Sequence, residues 1–219
     1  MSDWDERYRR GDYATQEPSQ LLVRAVAEFA AELFTKDESP RAKTGATRAE
    51  VDSTSASDDA PRALDIACGA GRHAVYLAAR GFRVTAVDSS RVGVELMRER
   101  ARAAGLRLDA RVADLERGEF EIEAGAYALV CDFYYLQRDL FAAMRAGVKR
   151  GGLFVAAIHM TDERPGVRPM NPGFLLRAGE LREQFQDWQI LHYHESVGRD
   201  EDPGQHTRRS AEVIARRRA

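Results

Sequence analysis

A short apolar run that leads into two closely spaced glycines is the feature that most constrains this chain. Residues 63–90 read ALDIACGAGRHAVYLAARGFRVTAVDSS. The pattern predicts a strand, a turn at Gly69-Ala70-Gly71, a helix, and a second strand that ends at Asp88. Glycines permit a tight turn and a close backbone approach, and the helix start presents unpaired N–H groups. The stretch therefore predicts a nucleotide-like ligand at a strand–loop–helix junction.

Strands and helices continue to alternate after this stretch, and the alternation predicts the fold class. The predicted strands cover residues 63–67, 83–87, 108–112, 126–131 and 153–158, and the predicted helices between them cover residues 71–80, 91–104 and 140–148. Residues 149–152 are predicted to form a turn, residues 179–185 a short helix, and residues 188–195 and 211–216 a final pair of strands. Such alternation is typical of an α/β protein with a parallel sheet covered by helices on both faces.

Composition divides the chain into three segments. We expect residues 1–35 to form an N-terminal arm and helix, with Ser19 as the helix cap, and residues 63–219 to form the main domain. Residues 36–62 are rich in Ser, Thr, Ala, Asp and Glu, and Val51 is their one bulky aliphatic residue. A segment of this kind cannot bury enough apolar surface to offset its ordering entropy, so we predict a flexible polar insertion.

Charge and residue counts argue against several classes of function. The 219 residues carry a formal net charge of −2, which favours neither a nucleic acid nor an anionic membrane as partner. The apolar runs are too short to cross a bilayer and the first ten residues are too polar for a signal peptide, so we expect a cytoplasmic protein. The two cysteines cannot build a disulfide framework, and the five histidines form no recognised ligand spacing, so we expect no metal site.

Two cofactors are compatible with the glycine loop. Gly69 to Ala74 reads G-x-G-x-x-A, a dinucleotide fingerprint, so an NAD(P)-dependent oxidoreductase is one alternative. Asp88 lies 17 residues beyond Gly71, where a carboxylate can accept both hydroxyls of a ribose. Asp65 precedes the loop and suits an ammonium group, which S-adenosylmethionine has and NAD lacks. Asp114 follows the third strand and can accept an adenine amino group, so the acidic residues favour S-adenosylmethionine.

Four successive motifs resemble those of the class I S-adenosylmethionine-dependent methyltransferases: LDIACGAGRHAVYLA, VTAVDSS, VADLE and GGLFV. The resemblance implies a Rossmann-like three-layer sandwich, with a seven-stranded mostly parallel sheet and an antiparallel C-terminal hairpin. It implies S-adenosyl-L-methionine as cofactor and S-adenosyl-L-homocysteine as product. One position departs from the family pattern, because Ala67 stands where the first glycine is usual. The cofactor-binding residues that we predict are Arg7, Tyr8, Asp65, Ala67, Cys68, Gly69, Gly71, Arg72, Asp88, Ser89, Asp114, Leu115, Cys131 and Asp132.

The methyl acceptor is predicted to be a small molecule. Methylases of nucleic-acid amines carry Asn/Asp-Pro-Pro-Tyr/Phe after the fourth strand, whereas residues 131–135 read CDFYY without proline. The stretches WDERYRRGDY, CDFYYLQRDLF and NPGFLLRAGELREQFQDWQILHYHE resemble the tellurite-resistance protein B-like methyltransferases, which are related to the thiopurine and thiol methyltransferases. That resemblance implies tellurite- or selenite-type oxyanions or thiols as acceptors. It also puts the N-terminal arm over the cofactor, where Arg7 could pair with its carboxylate and Tyr8 could cover it.

Methyl transfer from a sulfonium is an in-line displacement, so the enzyme mainly aligns the acceptor and excludes water. A soft anionic acceptor needs no general base, which favours a pocket of positive and hydrogen-bonding groups. We predict that His159, Arg164 and Arg168 position the acceptor and that Tyr134, Tyr135 and Asn171 line its pocket. The alternatives are solvated loop arginines, a histidine bonded to the backbone, core tyrosines, and an arm helix that packs on the sheet edge. A non-catalytic S-adenosylmethionine-binding protein is a further alternative, and we expect a monomer or homodimer.

Overall fold

The structure, a computed structural model, describes residues 3–11, 17–34, 59–165, 167, 169–196 and 208–219. Arg168 lies outside the described residues. The predicted insertion lies outside them too, apart from its last four residues, of which Arg62 opens the first strand.

A seven-stranded sheet occupies the centre of the described structure, with strand order β3-β2-β1-β4-β5-β7-β6. The strands are β1 (Arg62–Ile66), β2 (Arg83–Asp88), β3 (Asp109–Val112), β4 (Tyr127–Phe133), β5 (Val148–His159), β6 (Gln189–Glu195) and β7 (Ser210–Arg216). Strands β1 to β5 are parallel, and β7 runs antiparallel to both β5 and β6. The predicted α/β Rossmann-like fold with an antiparallel C-terminal hairpin is confirmed.

Helices cover both faces of the sheet and complete three layers. The helices are α1 (Asp3–Arg9), α2 (Gln20–Phe29), α3 (Arg72–Ala79), α4 (Arg91–Ala103), α5 (Leu140–Gly147) and α6 (Glu180–Glu183). One apolar cluster contains Leu22, Leu77 and Met97 from α2, α3 and α4. The other contains Phe141 and Leu181 from α5 and α6. None of the helices in the described ranges combines the length and apolar character that crossing a bilayer requires.

Hydroxyl caps begin two of these helices. The Ser19 hydroxyl accepts a hydrogen bond from the Leu21 backbone N–H at 3.3 Å, as its position before α2 predicts. The Ser90 hydroxyl accepts one from the Gly93 backbone N–H at 3.1 Å, at the start of α4. Each cap satisfies a donor that the helix itself cannot pair.

The predicted turn at residues 149–152 is wrong, because β5 begins at Val148 and continues through this segment. Tyr127 pairs with Val148, and the next pair joins Leu129 to Leu153, so the extra residues form a bulge opposite β4. Gly151 has a φ of 74°, a backbone conformation that residues with a side chain rarely adopt. The glycines therefore bend a strand within the sheet rather than end it.

Candidate active site

The candidate site lies where the chain reverses its direction across the sheet. Strand β1 has β2 on one side and β4 on the other, so connections from its carboxyl end diverge and leave a crevice. Ligands bind at such switch points in open α/β sheets. The glycine loop, the end of β2 and the end of β4 all meet there.

The loop after β1 contains three residues in the left-handed backbone region. The φ angles are 49° at Ala67, 56° at Gly69 and 78° at Gly71. A side chain at Gly71 would lie 2.2 Å from Cγ of Met97, so glycine is required for α3 and α4 to pack this closely. Cys68 is buried, and its backbone carbonyl accepts a hydrogen bond from the Gly71 N–H at 2.9 Å. The loop is therefore compact, with Gly71 at the start of α3.

The Asp88 carboxylate joins this loop to the end of β2. Its Oδ2 accepts a hydrogen bond from the Gly69 backbone N–H at 2.8 Å, and its Oδ1 accepts one from the Ser90 backbone N–H at 2.7 Å. Burial raises the pKa of Asp88, and the two backbone hydrogen bonds oppose that effect. Ser89, between Asp88 and Ser90, is exposed. Asp88 is thus fixed in orientation while each oxygen keeps a further lone pair.

Three predicted cofactor residues lie beneath the surface of the site. The Cys131 thiol on β4 donates a hydrogen bond to Asp65 Oδ1 on β1 at 3.3 Å. Burial raises the pKa of Asp65 to about 7, against the opposing effects of the Cys131 thiol, the Ala74 backbone and Arg72. Burial also raises the pKa of Asp132 well above its ordinary value. Asp65 Oδ2 and both Asp132 oxygens lack a hydrogen-bond partner of good geometry in the described part of the chain.

Helix α1 packs directly against the glycine loop. A Cβ atom at Gly69 would lie 2.3 Å from the Tyr8 hydroxyl oxygen, and Tyr8 is buried. The Ser90 hydroxyl donates a hydrogen bond to Asp5 Oδ1 at 2.6 Å. The Arg7 guanidinium lies 4.8 Å from the centre of the Trp4 ring. The arm thus reaches the predicted cofactor site through Tyr8 and also through Asp5, a residue that sequence reasoning missed.

Hydrogen bonds connect the residues after the carboxyl end of β3 to the loop after β4. Asp114 Oδ1 accepts two hydrogen bonds from the backbone of the following turn, and its Oδ2 lies 3.4 Å from Arg117 Nε. Gln137 donates a hydrogen bond to the Leu115 carbonyl at 3.4 Å and accepts one from the Tyr135 hydroxyl at 2.6 Å. Gln137 therefore links the predicted adenine residues to a predicted pocket tyrosine, and no sequence motif marks it.

A cluster of aromatic and cationic side chains lies at the carboxyl ends of β4 and β5. Tyr134 has a φ of 65°, and its backbone N–H donates to the Ala157 carbonyl at 2.7 Å. Its ring centre lies 4.7 Å from that of His159 and 5.9 Å from the Arg72 guanidinium. The fold thus brings together three residues that the sequence analysis assigned separately to the cofactor, the acceptor and the pocket.

The segment after β5 contains an arginine whose charge is already balanced. Arg164 donates to Asp162 through Nε at 2.8 Å and through Nη2 at 2.7 Å. The Arg164 guanidinium lowers the pKa of Asp162, which also accepts a hydrogen bond from the Arg209 backbone N–H at 3.1 Å. This contact anchors the segment to the start of β7. Asn171 is exposed, and its side-chain oxygen accepts a hydrogen bond from the Gly173 N–H at 2.9 Å.

Arg138 connects the loop after β4 to the same segment. Its guanidinium donates to Glu180 Oε1 at 2.6 Å and to the Gly173 and Leu175 carbonyls at 2.8 Å each. Sequence reasoning missed this residue, because its partners lie 35 or more positions away. Among the described residues, no group of three or more His, Cys, Asp or Glu side chains could hold a metal ion.

Comparison with known proteins decides the family. A family model described as tellurite resistance protein TehB matches residues 33–210, well over half of the chain. The chain belongs to this family of class I S-adenosylmethionine-dependent methyltransferases. Membership confirms the predicted family and its cofactor, S-adenosylmethionine, over the NAD(P) alternative.

Named TehB proteins are similar to this chain in sequence and in fold. The probable S-adenosyl-L-methionine-dependent methyltransferase TehB of Haemophilus influenzae (strain ATCC 51907 / DSM 11121 / KW20 / Rd) is 26% identical over 167 residues. The match covers 72% of this chain and 57% of that relative, so the chain spans little more than half of the relative's length. The crystal structure of TehB from Haemophilus influenzae has a TM-score of 0.67 and 19% identity, covering 98% of this chain and 67% of that one.

A methyltransferase solved with geranyl diphosphate has the same fold. The geranyl diphosphate C-methyltransferase from Streptomyces coelicolor A3(2), solved with Mg²⁺, geranyl diphosphate and S-adenosyl-L-homocysteine, has a TM-score of 0.55 and 18% identity. The match covers 72% of this chain and 73% of that one. Likeness at this level shows the fold alone, and the acceptor has to be argued from the site.

Proposed function

We propose that this chain transfers the methyl group of S-adenosylmethionine to a small soft acceptor, either a tellurite- or selenite-type oxyanion or a thiol. The observation that carries the proposal is the Asp88 carboxylate, held by the Gly69 and Ser90 N–H groups at the switch point of the sheet. In this orientation its remaining lone pairs can accept the two hydroxyls of a ribose.

The chemistry of the surrounding residues fits S-adenosylmethionine. Asp65 Oδ2 is a buried carboxyl oxygen without a good partner in the described residues. A nearby ammonium group would lower the pKa of Asp65 from about 7 and so favour its ionised form. Asp114 and Leu115 stand at the mouth of β3, where we assign the adenine. The loop from Ala67 to Gly71 would lie beside the methionyl part, with Arg72, Arg7 and Tyr8 around it.

Bound S-adenosylmethionine supplies an electrophilic methyl group on a sulfonium. The residues of this chain then need only hold the acceptor in line with that methyl group and exclude water. Tyr134, beside His159 and Arg72, offers an aromatic face and hydrogen-bonding or cationic groups for this task. A soft anionic acceptor, such as an oxyanion or a thiol that enters as its thiolate, fits such a wall without a general base.

The predicted acceptor residues differ in how directly they could contact the acceptor. His159 lies at the end of β5 against Tyr134, so we propose that it contacts the acceptor. Arg164 is held by Asp162, so its charge would reach an anionic acceptor only if that contact opened. We retain Arg168, Tyr135 and Asn171 as proposed members of the acceptor pocket.

Binding and turnover test the proposal in two steps. Calorimetry should show saturable binding of S-adenosylmethionine and S-adenosylhomocysteine, and Asp88→Ala should weaken it far more than Arg168→Ala does. A methyl-transfer assay with tellurite, selenite and a panel of thiols then identifies the acceptor. Saturable binding of neither S-adenosylmethionine nor S-adenosylhomocysteine would refute the proposal. Binding without turnover on any acceptor would favour the non-catalytic alternative.

A further inference from the structure

Ser90 lies between two carboxylates. Its backbone N–H donates a hydrogen bond to Asp88 Oδ1 at 2.7 Å, and its hydroxyl donates one to Asp5 Oδ1 at 2.6 Å. The same hydroxyl accepts a hydrogen bond from the Gly93 N–H at 3.1 Å, and Ser90 has no exposed surface. One buried serine therefore contacts the arm, the first turn of α4 and the proposed ribose-binding aspartate.

Asp5 determines which way the Ser90 hydroxyl points. A hydroxyl has one hydrogen to donate, and donation to Asp5 leaves its lone pairs available to Gly93 as helix cap. Asp5 also accepts a weaker hydrogen bond from the Val92 N–H at 3.4 Å. A negative charge at this end of α4 is favourable, because the N-terminus of a helix carries partial positive charge. Asp5 thus joins α1 to α4 across 85 positions of the sequence.

The glycine loop is held by the same two helices. Tyr8, one turn after Asp5 on α1, places its hydroxyl beside Gly69. Arg100 on α4 donates a hydrogen bond from Nη1 to the Ala70 carbonyl at 2.9 Å. The position of α1 relative to α4 therefore affects the conformation of the glycine loop as well as the orientation of Asp88.

We propose that Asp5 is a positioning residue for the cofactor site, which acts through Ser90 on Asp88 and on the glycine loop. This inference rests on the proposed function, because it takes the site to bind S-adenosylmethionine. Asp5 is not assigned a contact with the cofactor. Its role is to keep α1 docked on α4, so that Asp88 and Gly69 hold the orientation that the ribose and the methionyl part need.

The test compares Asp5→Asn with Glu6→Gln in the full chain. Both variants remove one carboxylate from α1, but Glu6 is exposed and lies one position further along the helix. Calorimetry with S-adenosylhomocysteine should give a dissociation constant about tenfold higher for Asp5→Asn, as expected when a charge-assisted hydrogen bond becomes a neutral one. For Glu6→Gln it should stay within about twofold.

A stability measurement and a second substitution separate positioning from folding. Thermal unfolding without ligand identifies a temperature at which both variants are fully folded, and affinities are compared there. Unchanged affinity of Asp5→Asn at that temperature, whatever its unfolding midpoint, would overturn the inference. In a Ser90→Ala background Asp5→Asn should add less than about twofold, because the route through Ser90 is already lost. A full tenfold addition would overturn that route.

The two proposals fail in different ways. If the unsubstituted chain binds neither S-adenosylmethionine nor S-adenosylhomocysteine, the proposed function falls and the inference falls with it. If the unsubstituted chain binds normally and Asp5→Asn binds equally well, only the inference about Asp5 falls.

Discussion

The Cys131 thiol donates a hydrogen bond to the Asp65 carboxyl across the two central strands β1 and β4, with 3.3 Å between sulfur and oxygen. Burial raises the pKa of Asp65 to about 7, and burial together with Asp65 raises the pKa of Cys131 well above its ordinary value. Two ionisable groups are therefore kept neutral side by side below the glycine loop at mildly acid pH.

Asp65 should make the ligand-free protein less stable as pH rises. Its folded-state pKa of about 7 exceeds the ordinary value of 3.8, so the stabilisation is present at low pH and is lost as pH rises through 7. The full effect would be about 4 kcal/mol in the free energy of unfolding. Urea unfolding between pH 4 and 8 should show this slope, and Asp65→Asn should reduce it, while the buried carboxyls of Asp88 and Asp132 keep their own contributions. Asp109→Asn, on the exposed strand β3, should keep the slope, and an equal slope in the Asp65 variant would contradict the assignment.

His73 should lower the free energy of unfolding as pH falls below 6.5, the opposite of the pH dependence expected from Asp65. Burial lowers the pKa of His73 well below 6.5, with a contribution from Arg72, while Nε2 accepts a hydrogen bond from the Ser19 N–H at 3.3 Å. A folded-state pKa below the ordinary value gives stabilisation that is present above pH 6.5 and is lost as pH falls below it. His73→Gln should flatten the unfolding free energy between pH 5 and 6.5. His192→Gln serves as the comparison, and a slope unaffected by the His73 change would refute the prediction.

Ala67→Gly should not destabilise the protein. Ala67 has a φ of 49° at the position where the family usually has glycine, and a left-handed conformation costs a residue with a Cβ atom about 1–2 kcal/mol. Relief of this strain is partly offset by the greater flexibility of glycine in the unfolded chain, so we expect a gain of up to about 1 kcal/mol. Denaturant unfolding measures it. Ala70→Gly, in the same loop without a positive φ, should lower stability, and a similar loss for Ala67→Gly would contradict the strain argument.

Arg138→Met should loosen the segment after β5 without weakening cofactor binding. The substitution removes the hydrogen bonds to Glu180, Gly173 and Leu175, and hydrogen exchange of residues 171–176 should become faster. The loss of stability should be about 1 kcal/mol, because the arginine side chain is 43% exposed and solvent screens its charge.

Arg145→Met is the matched control for Arg138. Arg145 donates to both oxygens of Asp187 and lies over the rings of Phe185 and Trp188, so its hydrogen bonds and ring contacts in the described structure lie outside residues 171–176. Exchange in that segment should stay at the unsubstituted rate in the control. Equal acceleration in both variants would mean that general destabilisation, rather than the Arg138 contacts, sets the mobility of the segment.

Local patterns were sufficient to predict an α/β protein with a parallel sheet, and the resemblance to the methyltransferases implied the seven strands and the antiparallel hairpin. The apolar run of β1, the glycine loop and Asp88 at the end of β2 lie within 30 residues, and each has a local signature. The bulge in β5 was not predictable, because paired glycines also mark turns and only the neighbouring strand β4 distinguishes the two.

The contacts that organise the candidate site were less predictable than its residues. Ser90 has a recognisable capping position before α4, but nothing in its surroundings indicates that its partner is Asp5, 85 positions earlier. Similarly, the sequence singles out Arg164 as a cation and does not reveal that hydrogen bonds to Asp162 balance its charge. Such pairings depend on how distant elements meet in three dimensions.

The two tryptophans of this chain stand in contrasting surroundings, and the contrast has a practical use. Trp4 on α1 is 46% exposed and stacks on Tyr8, whereas Trp188 is 6% exposed and meets the edge of Phe185. The protein therefore carries two natural optical probes. Emission from Trp4, accessible to acrylamide, reports on the arm, and the shielded emission of Trp188 reports on the sheet. Quenching can thus separate release of the arm from unfolding, with no label attached.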